Sequence, residues 1–126
     1  MTLAQEFDQG ASLVFGGSGG IGAAIATRIA QGGSDVAITY RSNRERAEAA
    51  AATIAELGVA CTIHQVDIAD KAQIVQAITE AAQRHKRLHS VVVAAGSDIK
   101  QPFLSDVTDA QWEEVIRHDL AQRWQR

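Results

Sequence analysis

Apolar and polar positions along the chain alternate between two kinds of segment. Short, nearly continuous apolar runs occur at residues 12–15, 35–40, 60–66 and 90–94, the last almost pure valine. Uninterrupted apolar runs suit strands of a parallel sheet covered on both faces better than half-exposed antiparallel strands. Between them lie longer stretches with helical spacing. Residues 20–31 carry Ile21, Ile25 and Ile29 four apart and stop at Gly32-Gly33, a helix-ending pair. Residues 43–57 are alanine-rich and end at Gly58. Residues 70–86 open with Asp70 and Gln73 at capping-box spacing and set Ile74, Ile78 and Ala81 on one face. Residues 108–121 repeat the device with Thr108 and Gln111, and the pattern predicts burial of Trp112, Val115, Ile116 and Leu120. Strand and helix in this rhythm predict right-handed β-α-β units, four β-α pairs in one α/β domain.

Composition narrows the picture. The 126 residues are enough for one domain with a core and too few for two. Hydrophobic residues make up 46% and the net charge is −3, which argues against a nucleic-acid partner needing a dense Lys/Arg face. The lone Cys61 excludes an internal disulfide and fits a reducing compartment; its apolar neighbours favour a small core residue over a nucleophile. The first nine residues are polar and acidic, unlike a signal peptide, and no apolar stretch approaches the ~20 residues that span a bilayer. The expectation is a cytoplasmic protein with no membrane contact.

The sharpest chemical signal lies between the first strand and the first helix, Phe15-Gly16-Gly17-Ser18-Gly19-Gly20-Ile21-Gly22. A strand leading through glycines into a helix N-terminus presents unpaired N–H groups and a positive dipole end to an anion, and lets a pyrophosphate approach the backbone. Two registers fit: Gly17, Gly19 and Gly22 as G-x-G-x-x-G, or Gly16, Gly20 and Gly22 as G-x-x-x-G-x-G. No Lys-Ser/Thr follows, which disfavours a P-loop NTPase. The end of the second strand should face the adenosine ribose, where an acid would prefer NAD. Here the residues are Tyr40-Arg41-Ser42-Asn43-Arg44, and Arg41, with Ser42 and Arg44 nearby, suits a 2′-phosphate. Asp35 lies at the wrong end of its strand to read the ribose. The four histidines (His64, His85, His89 and His118) show no metal-ligand spacing and read as surface or strand-end residues; no metal site is expected.

From about Ala11 to Leu120 these residues resemble the short-chain dehydrogenase/reductase family, and are most similar to 3-oxoacyl-carrier-protein reductases. The glycine loop resembles that family's T-G-x-x-x-G-x-G, with Phe15 in place of threonine. The resemblance implies a Rossmann-type parallel sheet with helices on both faces, strand order 3-2-1-4, over residues 1–126 as a single, incomplete and truncated dinucleotide-binding domain. It implies cofactor contacts from Gly16, Ser18, Gly19, Gly20, Ile21 and Gly22, and an NADP-preferring strand end at Tyr40, Arg41 and Ser42. It further implies adenine contacts from Asp67 and Ile68, and a strand end beside the ribose at Ala94, Ala95 and Gly96, where Val93 and Ala94 replace two asparagines. Asp119 stands where the family places a catalytic asparagine.

The departures bear on activity. The family moves a proton with a serine, and with a tyrosine followed four residues later by lysine. Tyr40 is the chain's one tyrosine, and position 44 is arginine. Two readings follow: the NADP(H)-binding half of an oxidoreductase, with NADP(H) preferred over NAD(H), or a non-catalytic nucleotide-binding or protein-interaction module. The apolar fourth strand, lacking an outer neighbour, further predicts a homo-oligomer.

Overall fold

The computed structural model describes residues 9–95 and 104–117. The β-branched runs form four parallel strands, β1 (Ala11–Phe15), β2 (Asp35–Tyr40), β3 (Cys61–Gln65) and β4 (Leu88–Val93), in the order β3-β2-β1-β4. The expected order is therefore found. Helices α1 (Gly20–Gln31), α2 (Arg44–Ala55) and α3 (Lys71–His85) alternate with the strands, and α4 (Asp109–Val115) follows a short 3-10 turn at Leu104–Asp106.

Side chains alternate across β1 and divide the core in two. Leu13 and Phe15 join Ala37, Val66 and Ile68 beneath Ala77 and Ala81 of α3. Val14 joins Val36 and Ile38 against Ala26 and Ala30 of α1 and Ile54 of α2. Helices therefore cover both faces, as a parallel sheet requires. Each large aliphatic side chain so buried contributes about 1.5–3 kcal/mol.

The helix starts follow their caps. Asn43 accepts from the Arg46 N–H at 3.0 Å and begins α2. Asp70 accepts from Ala72 and Gln73 and begins α3, but Gln73 does not complete the reciprocal box; its Oε1 instead accepts from the Asp67 N–H at 2.8 Å. Thr108 and Gln111 form the full box before α4.

Burial refines the helical pattern in α1 and α3 and corrects it in α4. In α1 the sheet-facing stripe is Gly22, Ala26 and Ala30, one position on from the isoleucines, and Ile21 is 76% exposed. In α3 the stripe is Ala77, Ala81 and His85, and Ile78 is left outside. In α1 the helix is pressed close to the sheet, so its smallest side chains lie at the contact and larger ones flank it, whereas in α3 Ile74 packs against the same cluster as Ala77 and Ala81. In α4 the expected burial fails: Trp112, Val115 and Ile116 are all exposed. Leu120 lies outside the described residues.

β4 pairs with β1 alone among the described residues. Its register sets Val91 beside Leu13 and Val93 beside Phe15, yet both valines are more than half exposed. At the other end of the sheet, Ala11 N–H donates to the Arg87 carbonyl at 2.8 Å and ties β1 to the turn before β4. That turn passes through Lys86 at φ 67°, a left-handed conformation that costs a non-glycine residue about 1–2 kcal/mol.

Candidate nucleotide-binding site

The carboxyl ends of the strands bring the expected residues to one edge of the sheet. At its centre β1 gives way to Gly16, whose φ of +78° turns the chain sharply. A Cβ there would sit 2.8 Å from the Ala95 nitrogen and 2.9 Å from the Ala94 oxygen, so the loop and the end of β4 touch through backbone alone. The loop is tied inward by Gly16 N–H donating to Thr39 Oγ1 at 3.0 Å, and closed by Gly19 N–H donating to the Gly16 carbonyl at 3.0 Å. Thr39, buried on β2, is a loop-positioning residue that the sequence reading missed; no local signal marks a contact made across 23 positions.

Helix α1 begins at Gly20 after Gly19, with no side chain capping it. Among the described residues nothing accepts from the amides of Gly20, Ile21 and Gly22, which are left for an anion. Gly22 packs so tightly over the loop that a Cβ would collide with the Gly16 carbonyl, whereas a Cβ at Gly20 would meet nothing. Gly22 is common to both glycine registers, and Gly17, where a Cβ would meet the Ile38 side chain at 2.6 Å, is held as closely as Gly16. Ser18 lies in the turn, and the exposed Ile21 stands at the first turn of α1.

Beside the loop, β2 ends at Tyr40, whose ring is buried. The Tyr40 hydroxyl accepts from Arg44 Nη1 at 3.3 Å, and Arg44 Nε donates to Glu48 at 2.9 Å. The bond to Glu48, reinforced by Tyr40, raises the proton affinity of the Arg44 guanidinium. Arg41 and Ser42 are exposed just beyond the strand. Tyr40 thus belongs to the core and holds Arg44, leaving its neighbours to face solvent. Past β3, Asp67 forms a tight turn, one carboxylate oxygen accepting from the Ala69 N–H at 2.9 Å. Ile68 is buried in the core, which leaves its backbone as the part available to a ligand. Gly96 and Asp119 lie outside the described residues.

The remaining candidates separate cleanly. Asp35 sits at the far end of β2, where it accepts from the Ala60 N–H at 2.9 Å. Burial pushes the Cys61 thiol up to about 11, so it stays protonated and inert. Of the histidines expected at the surface or at strand ends, His64 lies near the end of β3 but is buried, and His85 is buried at the end of α3. No cluster of metal-ligating side chains occurs among the described residues, and none of their helices is long and apolar enough to cross a membrane.

A parallel sheet with an uncapped glycine loop at the end of its central strand defines a dinucleotide-binding protein of the Rossmann type. The family model of the short chain dehydrogenases matches residues 11–121, and the chain belongs to that family. It is 36% identical over 108 residues to a 3-oxoacyl-[acyl-carrier-protein] reductase of Aggregatibacter actinomycetemcomitans, covering 86% of this chain and 44% of that protein. A dehydrogenase/reductase structure from Sinorhizobium meliloti superposes with a TM-score of 0.87 at 33% identity, over 98% of this chain and 48% of that one. A short chain dehydrogenase from Burkholderia cenocepacia, solved in complex with NADP, gives 0.82 at 37% identity, over 90% and 46%. The chain thus spans about half the length of these relatives.

Proposed function

We propose that this chain is the NADP(H)-binding half of an oxidoreductase that moves hydride between nicotinamide and a carbonyl or hydroxyl carbon. The observation that carries the reading is the glycine loop with three open amides beside a strand end that offers Arg41 and Ser42, with no acidic residue from 41 to 44. The amides would hold the pyrophosphate, Asp67 and the Ile68 backbone the adenine, and Ala94, Ala95 and Gly96 the ribose on the nicotinamide side. When bound, the cofactor supplies the hydride; these residues bind and orient it. The NADP held by the Burkholderia relative supports the same cofactor class here. The lone thiol supports a cytoplasmic setting.

Arg41 carries the choice between cofactors. Its side chain is exposed next to the strand end, whereas Arg44 is already engaged by Glu48 and Tyr40. Losing one charge-assisted contact costs about 1.5–3 kcal/mol, or roughly ten- to a hundredfold in affinity. Arg41→Ala should therefore weaken NADP(H) by that factor and leave NAD(H) nearly unchanged. Calorimetry with both cofactors checks this, and equal affinities in the unaltered protein would refute the preference.

We also propose that the chain self-associates through β4. The outward edge of β4 and its exposed Val91 and Val93 form an apolar strand of the kind that templates pairing with a second copy. Sedimentation over a wide concentration range should show dimers or larger species, and Val91→Lys with Val93→Lys should shift them to monomer. A strictly monomeric unaltered chain would overturn it.

One observation favours a second reading, a non-catalytic nucleotide-binding or protein-interaction module. The single tyrosine is buried at the adenosine side, away from where a substrate oxygen would lie.

A further inference from the structure

Beneath α3, on the face of the sheet away from α1 and α2, the outer part of the core is polar. Thr62 and His64 of β3 point to this side, since their neighbours Cys61 and Ile63 pack with the opposite cluster. The Thr62 hydroxyl lies 2.9 Å from His64 Nε2 and 2.8 Å from His85 Nε2, the second ring coming from the last residue of α3. Each imidazole has a carboxylate behind it. His64 Nδ1 is 3.4 Å from Glu80 of α3, and His85 Nδ1 is 3.9 Å from Asp35 of β2. Both ring side chains are only 3% exposed, while both carboxylates are near half exposed. The network is therefore a buried pair of bases bridged by one hydroxyl and opening to water at both ends.

A hydroxyl has one proton and so donates to only one of two bases. The two rings must then take opposite tautomers while neutral. His64 is within hydrogen-bond reach of its carboxylate, so its Nδ1–H donates to Glu80 and its Nε2 accepts from Thr62. His85 donates its Nε2–H to the Thr62 oxygen and turns an unprotonated Nδ1 towards Asp35, beyond hydrogen-bond distance. One added proton fits on His85 Nδ1, facing Asp35. A second, on His64 Nε2, would set two N–H donors against the hydroxyl and strand its proton without an acceptor.

We propose that the His64–Thr62–His85 relay is an acid-sensitive latch that fastens α3 to the β3 side of the sheet. The charged surroundings are few. Asp35 draws a proton towards His85, whereas Arg84 on α3 and the neighbouring His64 oppose it. Glu80 is held below the usual carboxylate range by bonds from Gln76 and His64. β1 carries no titratable group, and His89 of β4 is engaged with Ser34 and Ser90. Burial is the largest influence on His85 and holds its proton affinity below the ordinary value. When α3 lifts, the ring recovers its ordinary value near pH ~6.5, so the open form binds the extra proton. The latch is thus complete above about pH 6.5 and weakens as pH falls from there towards the lower folded value.

The test is made on the whole chain by NMR and amide exchange. Nitrogen shifts at pH 8 should show His64 as the Nδ1–H tautomer and His85 as Nε2–H. As pH falls below about 6.5, the opening constant of α3 amides, corrected for intrinsic exchange, should rise by up to about tenfold per pH unit for the one proton taken up on His85. The amides of β1 should move much less. The double variant His64→Gln, His85→Gln keeps neutral groups able to bond Thr62, and its α3 response should be flat with pH. Both rings in one tautomer, an α3 response no steeper than that of β1, or a slope that persists in the double variant would each overturn the latch. Should the variant not fold, the tautomers and the unaltered protein's profile decide alone.

Discussion

Gly22→Ala should abolish cofactor binding and lower the melting temperature by several degrees, while Gly20→Ala, two residues away, should leave the fold intact. The contrast rests on what a single methyl group meets. At position 22 it would drive into the Gly16 carbonyl and come within 3.0 Å of the Gly17 Cα, both backbone atoms that cannot rotate aside. Relief requires α1 to move off the loop. That movement separates the Gly20, Ile21 and Gly22 amides from the turn that aims them. Overpacking of this kind costs about 1–3 kcal/mol, and a chain of this size loses roughly 3–5 °C per kcal/mol. At position 20 the methyl has open space, and alanine is a better helix former than glycine by up to about 1 kcal/mol. Thermal denaturation of the three proteins, with calorimetry against NADPH, checks the prediction. Equal melting temperatures for the two variants would show that the loop yields, and that the close approach of Gly16 and Gly22 is not structural.

The second expected result is an absence of turnover. The 126-residue polypeptide alone should reduce no ketone or 3-oxoacyl thioester with NADPH above the rate without protein. A general acid must come within hydrogen-bond reach of the reacting oxygen, and a well-placed one contributes about 10²–10⁴-fold. The one tyrosine, Tyr40, is 5% exposed and its hydroxyl faces Arg44 at the end of β2. It therefore stands beside the proposed adenosine site rather than at the nicotinamide end. NADPH oxidation followed at 340 nm over a substrate panel (a standard absorbance assay) reads the outcome. Turnover that co-purifies with the chain and disappears in Gly22→Ala would contradict it and restore the oxidoreductase reading for this polypeptide by itself.

The parts of the fold legible in the sequence were those set by backbone demands over a few residues. The limits of α1, the caps at Asp70 and Thr108, and the glycine loop all follow from local donors, acceptors and permitted dihedrals. Periodicity located the helices but misplaced their buried stripes. Ile21 and Ile78 are apolar enough for a core, yet the close approach of helix to sheet gave the contacts to Ala26 and Ala77 instead. Trp112 failed for a related reason: an amphipathic pattern shows that a face is apolar, not what covers it. His64 and His85 were invisible because their burial depends on Thr62, Asp35 and Glu80 meeting across two strands and a helix. Of the candidate site, the loop was readable from its glycines, while the support from Thr39 was not.

The place of β1 at the middle of the sheet bears on the order in which the chain comes together. Val14 lies beside Ile38 on one side and Val92 on the other, so one neighbour is made soon after β1 and the second far later. Closing the longer loop adds only about 1 kcal/mol of chain entropy, but during synthesis it imposes a delay. β1, β2 and β3 have all emerged, with α1 and α2 available to cover one face, while the other edge of β1 still waits for residues 88–93. Of the four described strands, β1 is made first yet gains its second neighbour only when β4 arrives, and until then it carries an open edge that ends inside this sheet.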